Sequence, residues 1–380
     1  MIWLHLYLDF MVFAFGAVIG SFLNVCVHRM PREESIVLPP SHCPHCQAPI
    51  RWTDNIPLVS FVILGGRCRH CRAPISPRYV LIELLTALLF LMMWLKLTPW
   101  DQPSAHGIDF LRILICWIVI AGLIVATFID FEHYIIPNEI TMGGVVVGFL
   151  CSMAVPSLQH TQSHGMATLR SVLGILTGGL ILYLIAEMGK LMFGRLRIPL
   201  PADTTIIIAD GKLKLPDEEV AWTDLFFRES DNIRFKAVSL KFADKQFSNA
   251  LVTVHQDSIT VNGEHYPLAG VVVEAATNEI VIPREAMGFG DVKLLAAIGA
   301  FLGWQATVFA IFLSSMVGSL VGLTLIVAGK KDLQGRIPYG PYIALGAVIW
   351  LFAQDQLLAI MTIYMGNVKD LLTILFNRGG

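Results

Sequence analysis

The chain has 380 residues, of which 55% are apolar and only 15% charged, with a mean hydropathy of +0.65. An ordinary globular domain carries roughly 25% charged residues, so a simple soluble, secreted or disordered protein is excluded. The net charge of −2 gives no general affinity for nucleic acid, which leaves a polytopic membrane protein with a modest soluble part.

A bilayer-spanning helix needs roughly 20 apolar residues. Eight runs approach that length, at about 8–27, 79–97, 109–129, 137–155, 169–192, 291–303, 306–328 and 341–363. The sixth is short and contains glycine. No Lys or Arg precedes the first run and no small-residue cleavage site follows it, so it is expected to stay in the membrane. Within that run, Gly16-x-x-x-Gly20 followed by Ser21 and Asn24 predicts close helix packing, with a site role as the alternative.

Between the first two runs, Cys43-Pro-His-Cys46 and Cys68-Arg-His-Cys71 stand 21 residues apart. Zinc takes four thiolates in a tetrahedron, and each C-x-x-C turn supplies two at the required bite. A structural Zn²⁺ on Cys43, Cys46, Cys68 and Cys71 is therefore expected, the alternative being two turns with free thiols. His42, His45 and His70 are read as neighbours, and Cys26, Cys116 and Cys151 as small hydrophobes in apolar spans. The same loop carries seven arginines: Arg29, Arg32, Arg51, Arg67, Arg69, Arg72 and Arg78. Positive charge marks the cytoplasmic side. Counting spans alternately onward puts Lys190, Arg195, Arg197, Lys330, Lys331 and Arg336 on that side too. Only Lys96, Arg112, Arg170, Lys369 and Arg378 fall outside, thirteen cations against five, with both termini outside.

Carboxylates within or beside spans are costly and so point to function; here they are Glu83, Asp130, Glu132, Glu187 and Asp291. Asp130 ends the third run and Asp291 begins the sixth, so the topology puts both at one depth near the cytoplasmic surface. Gly288 and Gly290 would let the backbone there approach a partner helix or a substrate strand. Two facing aspartates can share a proton and activate water for amide hydrolysis; the alternative is two unrelated, solvated helix ends. From about 199 to 287 the pattern changes to strand alternation, in Thr205-Ile-Ile-Ile-Ala, Val238-Ser-Leu-Lys-Phe, Leu251-Val-Thr-Val-His and Ser258-Ile-Thr-Val. Turn pairs stand at Asp210-Gly211 and Asn262-Gly263. The fold class is thus an all-α polytopic membrane protein of about eight transmembrane helices, with a zinc-binding cytoplasmic loop and an inserted β-rich domain. Its expected divisions are 1–98, 99–198, 199–287 and 288–380.

Several motifs, in order, carry a resemblance. They are Gly16-x-x-x-Gly20-Ser-Phe-Leu-Asn-Val-Cys-Val-His-Arg-Met-Pro31, the two C-x-x-C pairs, Asn55-Ile-Pro-Leu-Val-Ser60, Arg78-Tyr-x-x-x-Glu83-Leu-Leu-Thr-Ala, Asp130 with Pro137-Asn138, Gly288-x-Gly-Asp-x-Lys293-Leu and Pro338-Tyr-Gly-Pro-Tyr342. Along nearly all its membrane portion the chain resembles the bacterial type IV prepilin peptidases, which are GxGD-type intramembrane aspartic peptidases. The resemblance implies cleavage of the leader of prepilins or type II secretion pseudopilins after glycine. It also implies N-methylation of the new terminus, usually Phe, from S-adenosyl-L-methionine, in the cytoplasmic membrane. Asp130 and Asp291 fall on the family's catalytic pair, with Gly288, Gly290, Glu132 and Lys293 as auxiliary residues. Glu132 stands where many relatives have Asp, and the 199–287 stretch replaces a short loop. No Rossmann-like glycine fingerprint follows a strand, so methyl transfer is assigned by resemblance to the first cytoplasmic loop, with Gly66, Arg67 and Glu83 as candidates. Glu83 could equally be a packing or snorkelling residue. The reading from another class is a carboxylate-coupled transporter or proton-relay protein with a structural zinc loop; it calls for midplane carboxylates and internal repeats, and neither is visible.

Overall fold

The computed structural model describes residues 2–98, 109–209, 211–216, 219–226, 231–242, 245–268, 270–285, 287–329 and 337–377. Lys330, Lys331, Arg336, Arg378 and the turn residue Asp210 lie outside the described residues. The chain divides into two compact units, one of Met1–Leu182 with Phe289–Gly380 and one of Tyr183–Gly288.

The apolar runs become helices: α1 Ile2–Arg29, a short α2 Val59–Ile63, α3 Arg78–Leu97, α4 Phe110–His133, α5 Asn138–Ala154 and α6 His164–Phe193. After the sheet, which also contains a one-turn α7 (Trp222–Leu225), come α8 Phe289–Val327 and α9 Gly340–Asn377. Six of the helices among the described residues are long and apolar enough to cross a membrane, and α5 is a shorter apolar helix. The two runs expected at 291–303 and 306–328 form one 39-residue helix, interrupted at Gly303 (φ 80°, ψ 176°). Only glycine tolerates that conformation. The break strips carbonyls of their helical donors, and in an apolar setting each must find another. Gln159 Nε2 reaches the Ala300 and Phe301 carbonyls at 3.2 and 3.1 Å, and the Ser152 and Ser171 hydroxyls donate to Ala300 at 2.7 and 2.8 Å.

The Gly16-x-x-x-Gly20 pattern is a packing device. A Cβ at residue 16 would lie 2.7 Å from Ala87 Cα, and one at residue 20 would lie 2.6 Å from Glu83 Cα. The two glycines, one turn apart, thus press α1 backbone to backbone against α3.

In the other unit, eight strands form one antiparallel sheet in the order β3-β2-β1-β8-β4-β5-β6-β7. They are β1 Arg195–Ala209, β2 Lys212–Lys214, β3 Glu219–Ala221, β4 Ile233–Phe242, β5 Lys245–Val254, β6 Ser258–Val261, β7 Glu264–Pro267 and β8 Val273–Pro283. Alternation buries Ile233, Phe235 and Ala237 on β4, then resumes one residue late with Leu240 and Phe242. The slip coincides with an irregularity in the β4–β8 register between Ala237 and Ser239. Asn262 and Gly263 both take positive φ, as a two-residue hairpin turn between β6 and β7 requires. Lys190 donates to Asp231 at 2.9 Å and to Glu285 at 2.7 Å, tying the last turn of α6 to segments before β4 and after β8.

Close contact predicts sensitivity. Gly20→Ala should lower the unfolding temperature of the purified protein in detergent, since its Cβ meets backbone and over-packing costs about 1–3 kcal/mol. Gly143→Ala, with nothing within 4 Å of the added Cβ, should leave it unchanged or raise it. Equal thermal shifts for the two variants would refute the packing account.

Candidate active site and metal centre

Asp130 lies in the last turn of α4. That helix ends at Tyr134, whose positive φ of 56° lets its N–H return to the Asp130 carbonyl at 3.0 Å. The chain then turns through Ile136 and Pro137 into α5. Asp291 lies in the first turn of α8. Residue 290, just before it, seats on the turn that follows Asp130, where an added Cβ would meet Ile136 Cβ at 3.2 Å. The start of α9 closes the group: Gly340 N–H donates to Asp130 Oδ2 at 2.9 Å, and a Cβ on Gly340 would crowd that oxygen at 2.8 Å.

Three helix ends, far apart in sequence, thus converge on Asp130 and the turn that follows it. Both acids are buried, Asp130 at 5% and Asp291 at 7% exposure, on helix ends that the close approach of Gly290 to Ile136 brings side by side. Asp291 Oδ1 is buried with no hydrogen-bond partner among the described residues. A buried carboxylate oxygen without a hydrogen-bond partner is uncommon in a folded protein. Around it, Lys293 Nζ donates to Asn138 Oδ1 at 2.8 Å, joining the starts of α8 and α5. Tyr339 binds Ser314 and Ser315 of α8 through its hydroxyl, at 2.7 and 3.0 Å.

Glu132 goes elsewhere. Two residues along a helix is about 200° around it, and Glu132 forms an ion pair with Arg78 in the first turn of α3. Gly288 precedes α8 in the chain and belongs to the other compact unit. Glu83, on α3, is buried, and its Oε2 accepts the Leu58 N–H at 2.7 Å. Gly66 has a positive φ of 66° and packs against the Phe61 ring. Arg67 is exposed and bridges to Pro74 through its backbone. These two belong to the turn entering the second cysteine pair, whereas Glu83 is tied to α1 and to Leu58. The residues that sequence reasoning left without a role at the site are Gly340, Ile136, Tyr339 and Arg78. All but Ile136 sit inside motifs visible in the sequence, and the Gly between Tyr339 and Pro341 was the available signal.

The four cysteines come together. The Sγ atoms of Cys43, Cys46, Cys68 and Cys71 lie within 4.8 Å of one another, a group that could hold a metal ion. Two turns of the same design build it. In the first, Cys43 N–H donates to Ala48 and Gln47 N–H to the Cys43 carbonyl, at 3.0 and 2.8 Å. In the second, Cys68 N–H donates to Ala73 and Arg72 N–H to the Cys68 carbonyl, at 2.9 and 3.0 Å. Gln47 and Arg72 both adopt positive φ, and the underlying patterns, Cys-Pro-His-Cys-Gln-Ala-Pro-Ile and Cys-Arg-His-Cys-Arg-Ala-Pro-Ile, are near repeats. Hydrogen bonds from the Cys71 and His70 backbones hold the Cys68 thiol down at about 7. Cys71 accepts from the Ala73 N–H, which favours its thiolate, yet local desolvation and the neighbouring sulfurs push it up to about 11. Sulfurs this close cannot all ionise unless a cation neutralises them, so the donor set fits a thiophilic metal.

The model of the bacterial peptidase A24 N-terminal domain matches residues 14–97, and that of the type IV leader peptidase family matches 117–196 and 250–323. The interruption falls inside the β-sheet unit. The chain is 29% identical to the prepilin leader peptidase/N-methyltransferase of Aeromonas hydrophila over 380 positions, and 30% identical to that of Aeromonas salmonicida (strain A449) over 381, with 93% of each chain covered in both cases. It is 39% identical over 357 positions to the type 4 prepilin-like proteins leader peptide-processing enzyme of Escherichia coli O78:H11, covering 89% of this chain and 91% of that one. No solved structure matches. With these helices, this cysteine cluster and relatives matched almost end to end, the chain belongs to the type IV leader peptidase family of enzymes.

Proposed function

We propose that the protein is an intramembrane aspartic endopeptidase in which Asp130 and Asp291 share one proton and cleave the leader of type IV prepilins or type II secretion pseudopilins after glycine. The observation that carries this reading is that the two buried carboxylates stand on helix ends that approach each other, with Gly340 N–H donating to one and Asp291 Oδ1 unpartnered. Peptide hydrolysis needs an activated water and a proton donor for the departing amine; an ionised and a protonated carboxyl group supply both. The names of the relatives motivate the substrates. Gly290, Lys293 and, more distantly, Glu132 hold the helix ends around the pair; Gly288 gives the preceding backbone freedom to admit substrate.

In this reading the two halves of α8 and the short α5 each count toward eight spans, with the arginine-rich loop, the β-sheet unit and the aspartates at the cytoplasmic face of the inner membrane. The second activity is N-methylation of the newly exposed residue. S-adenosyl-L-methionine would supply a methyl group on a cationic sulfur. Glu83 and the buried, unpartnered Asn24 Oδ1 offer acceptors along the α1–α3 seam for such a cation, and Gly66 and Arg67 shape the adjoining turn. The four cysteines would hold Zn²⁺ in a closed shell, a structural role. The β-sheet unit would serve as an added domain outside the chemistry.

Three outcomes test these roles. Asp130→Asn and Asp291→Asn each keep shape and lose ionisation, so each should abolish leader removal, read as the product N-terminus by mass spectrometry, while membrane insertion persists. Glu132→Gln should be milder, because that side chain pairs with Arg78. Near-wild-type cleavage in either aspartate variant would overturn the dyad. For the metal, Cys43→Ser combined with Cys68→Ser should empty a site that otherwise carries one zinc per chain; elemental analysis finding no zinc in wild-type protein prepared without chelator would refute it. For the insert, Arg195 and Pro283 are paired and Arg284 N–H meets the Gly194 carbonyl at 3.0 Å, so a short linker can replace 196–282. That deletion should insert, fold and cleave at reduced rate; a monodisperse but inactive product would make the sheet part of the active machinery.

A further inference from the structure

The segment from Trp52 to Ile63 presents an apolar surface that the catalytic reading does not use. Trp52 is 81% exposed, Val62 76% and Ile63 72%, with Ile56 and Val59 also exposed. Scattered apolar residues on a surface are ordinary, but these are five within twelve positions. Val59, Val62 and Ile63 stand at i, i+3 and i+4, hence on one face of α2. The opposite face is fixed. Ser60 is buried, accepting the Ile56 N–H at 2.9 Å and donating to the Thr53 carbonyl at 3.0 Å, and Phe61 packs on Gly66. Only the outward side of this small structure is greasy.

Its depth can be read from α3. Leu58 N–H, just before α2, donates to Glu83 Oε2 at 2.7 Å. Glu83 is five residues into α3, about 7.5 Å along the helix axis at 1.5 Å per residue. Leu81 and Leu84, on either side of Glu83, are themselves exposed on a helix apolar enough to span a membrane. The start of α2 therefore lies level with a part of α3 whose apolar side chains are already exposed, and its own exposed apolar face stands at the same level. Exposed arginines flank it, Arg51 immediately before Trp52 and Arg67 four residues after Ile63. Tryptophan at the headgroup level with cations beside it is the pattern of an interfacial anchor on anionic lipid.

We propose that residues 51–67 form an interfacial membrane anchor, with Trp52, Ile56, Val59, Val62 and Ile63 immersed at the headgroup–acyl boundary and Arg51 and Arg67 on anionic phospholipid headgroups. The loop between α1 and α3 is then a module lying on the bilayer and held there by lipid. This goes beyond the catalytic reading and does not rest on it.

The test uses the full-length, metal-loaded protein in nanodiscs of phosphatidylglycerol and phosphatidylethanolamine. Trp52→Phe removes one of eight tryptophans, so the difference in emission between wild type and variant isolates Trp52. That difference should be lost when the lipids carry bromines near the headgroup end of their chains. A difference of full intensity in brominated lipid would overturn the anchor. A second measurement puts a nitroxide-bearing unnatural amino acid at position 62, which leaves the metal-binding thiols untouched. Collision with dissolved oxygen should exceed collision with a water-soluble nickel chelate; the reverse order overturns the proposal. Shielding at 62 that develops only when a purified prepilin is added would also overturn it, by assigning the surface to a protein partner.

Discussion

Two carboxyl groups are buried together where helix ends converge, and much of the membrane unit is arranged around that cost. A charge taken from water without a partner costs several kcal/mol, so the site must supply polar contacts in a place mostly lined by apolar side chains. It does so with backbone. Gly340 N–H, one of the free donors at a helix start, binds Asp130 directly, and the approach is possible only because residue 340 has no Cβ. Helix starts also favour negative charge through their dipoles, and both Asp291 and Gly340 sit at such starts. The same logic explains the interruption at Gly303. It separates the short half of α8 that carries Asp291 from the longer half that follows, while Gln159, Ser152 and Ser171 satisfy the exposed carbonyls.

The cysteine module solves a different problem. A loop of nearly fifty residues between two spanning helices has too little apolar interior to fix itself, and most of its larger apolar residues face outward. Two near-identical turns, closed by matching backbone bonds, bring four sulfurs together and give the loop a rigid centre. From that centre the bidentate Arg69–Asp54 pair, at 2.8 and 2.6 Å, holds the turn at 52–55, and Leu58 is pinned to Glu83. The order of the loop therefore reaches the membrane helices through a carboxylate that sequence alone left divided between packing and chemistry.

Legibility in the sequence followed periodicity. Long apolar runs, the cysteine pairs, the Asn262-Gly263 hairpin and the small-residue seam of α1 each depend on neighbours a few positions apart, so a linear reading finds them. The approach of the helix ends that carry Asp130 and Asp291 was reachable because counting alternate spans puts the end of one and the start of the other on the same side. Glu132 was drawn toward Asp130 by closeness in sequence; helical geometry turns it toward Arg78 instead. Gly340 acts through its backbone N–H and its missing side chain, 210 positions from its acceptor, and no residue pattern encodes that pairing. In the sheet, four alternating segments were visible, while β8 was not. Thr277 puts a polar residue, bonded to the Lys236 and Glu279 carbonyls, at a buried position, and the alternation slips just after it, at Asn278 and Glu279, where the register with β4 is irregular.

That missed strand explains how the sheet can be accommodated at all. An inserted domain must return the chain close to where it left, or it would force apart the helices on either side. β8 achieves this by pairing antiparallel with β1 out to Arg195 and Pro283, whose Cα atoms in such a ladder are about 5 Å apart. β8 also pairs with β4 on its other edge, so the last strand of the insertion lies at the centre of the sheet and the exit is locked by the domain's own core. Lys190 adds a second closure, binding Asp231 before β4 and Glu285 after β8 from the end of α6. An insertion whose ends are fixed by its own hydrogen bonds makes little demand on the length of the connections. The interruption of the family match between residues 196 and 250 falls within such a self-closed unit, whereas Asp130 and Asp291 lie in matched segments on either side of it.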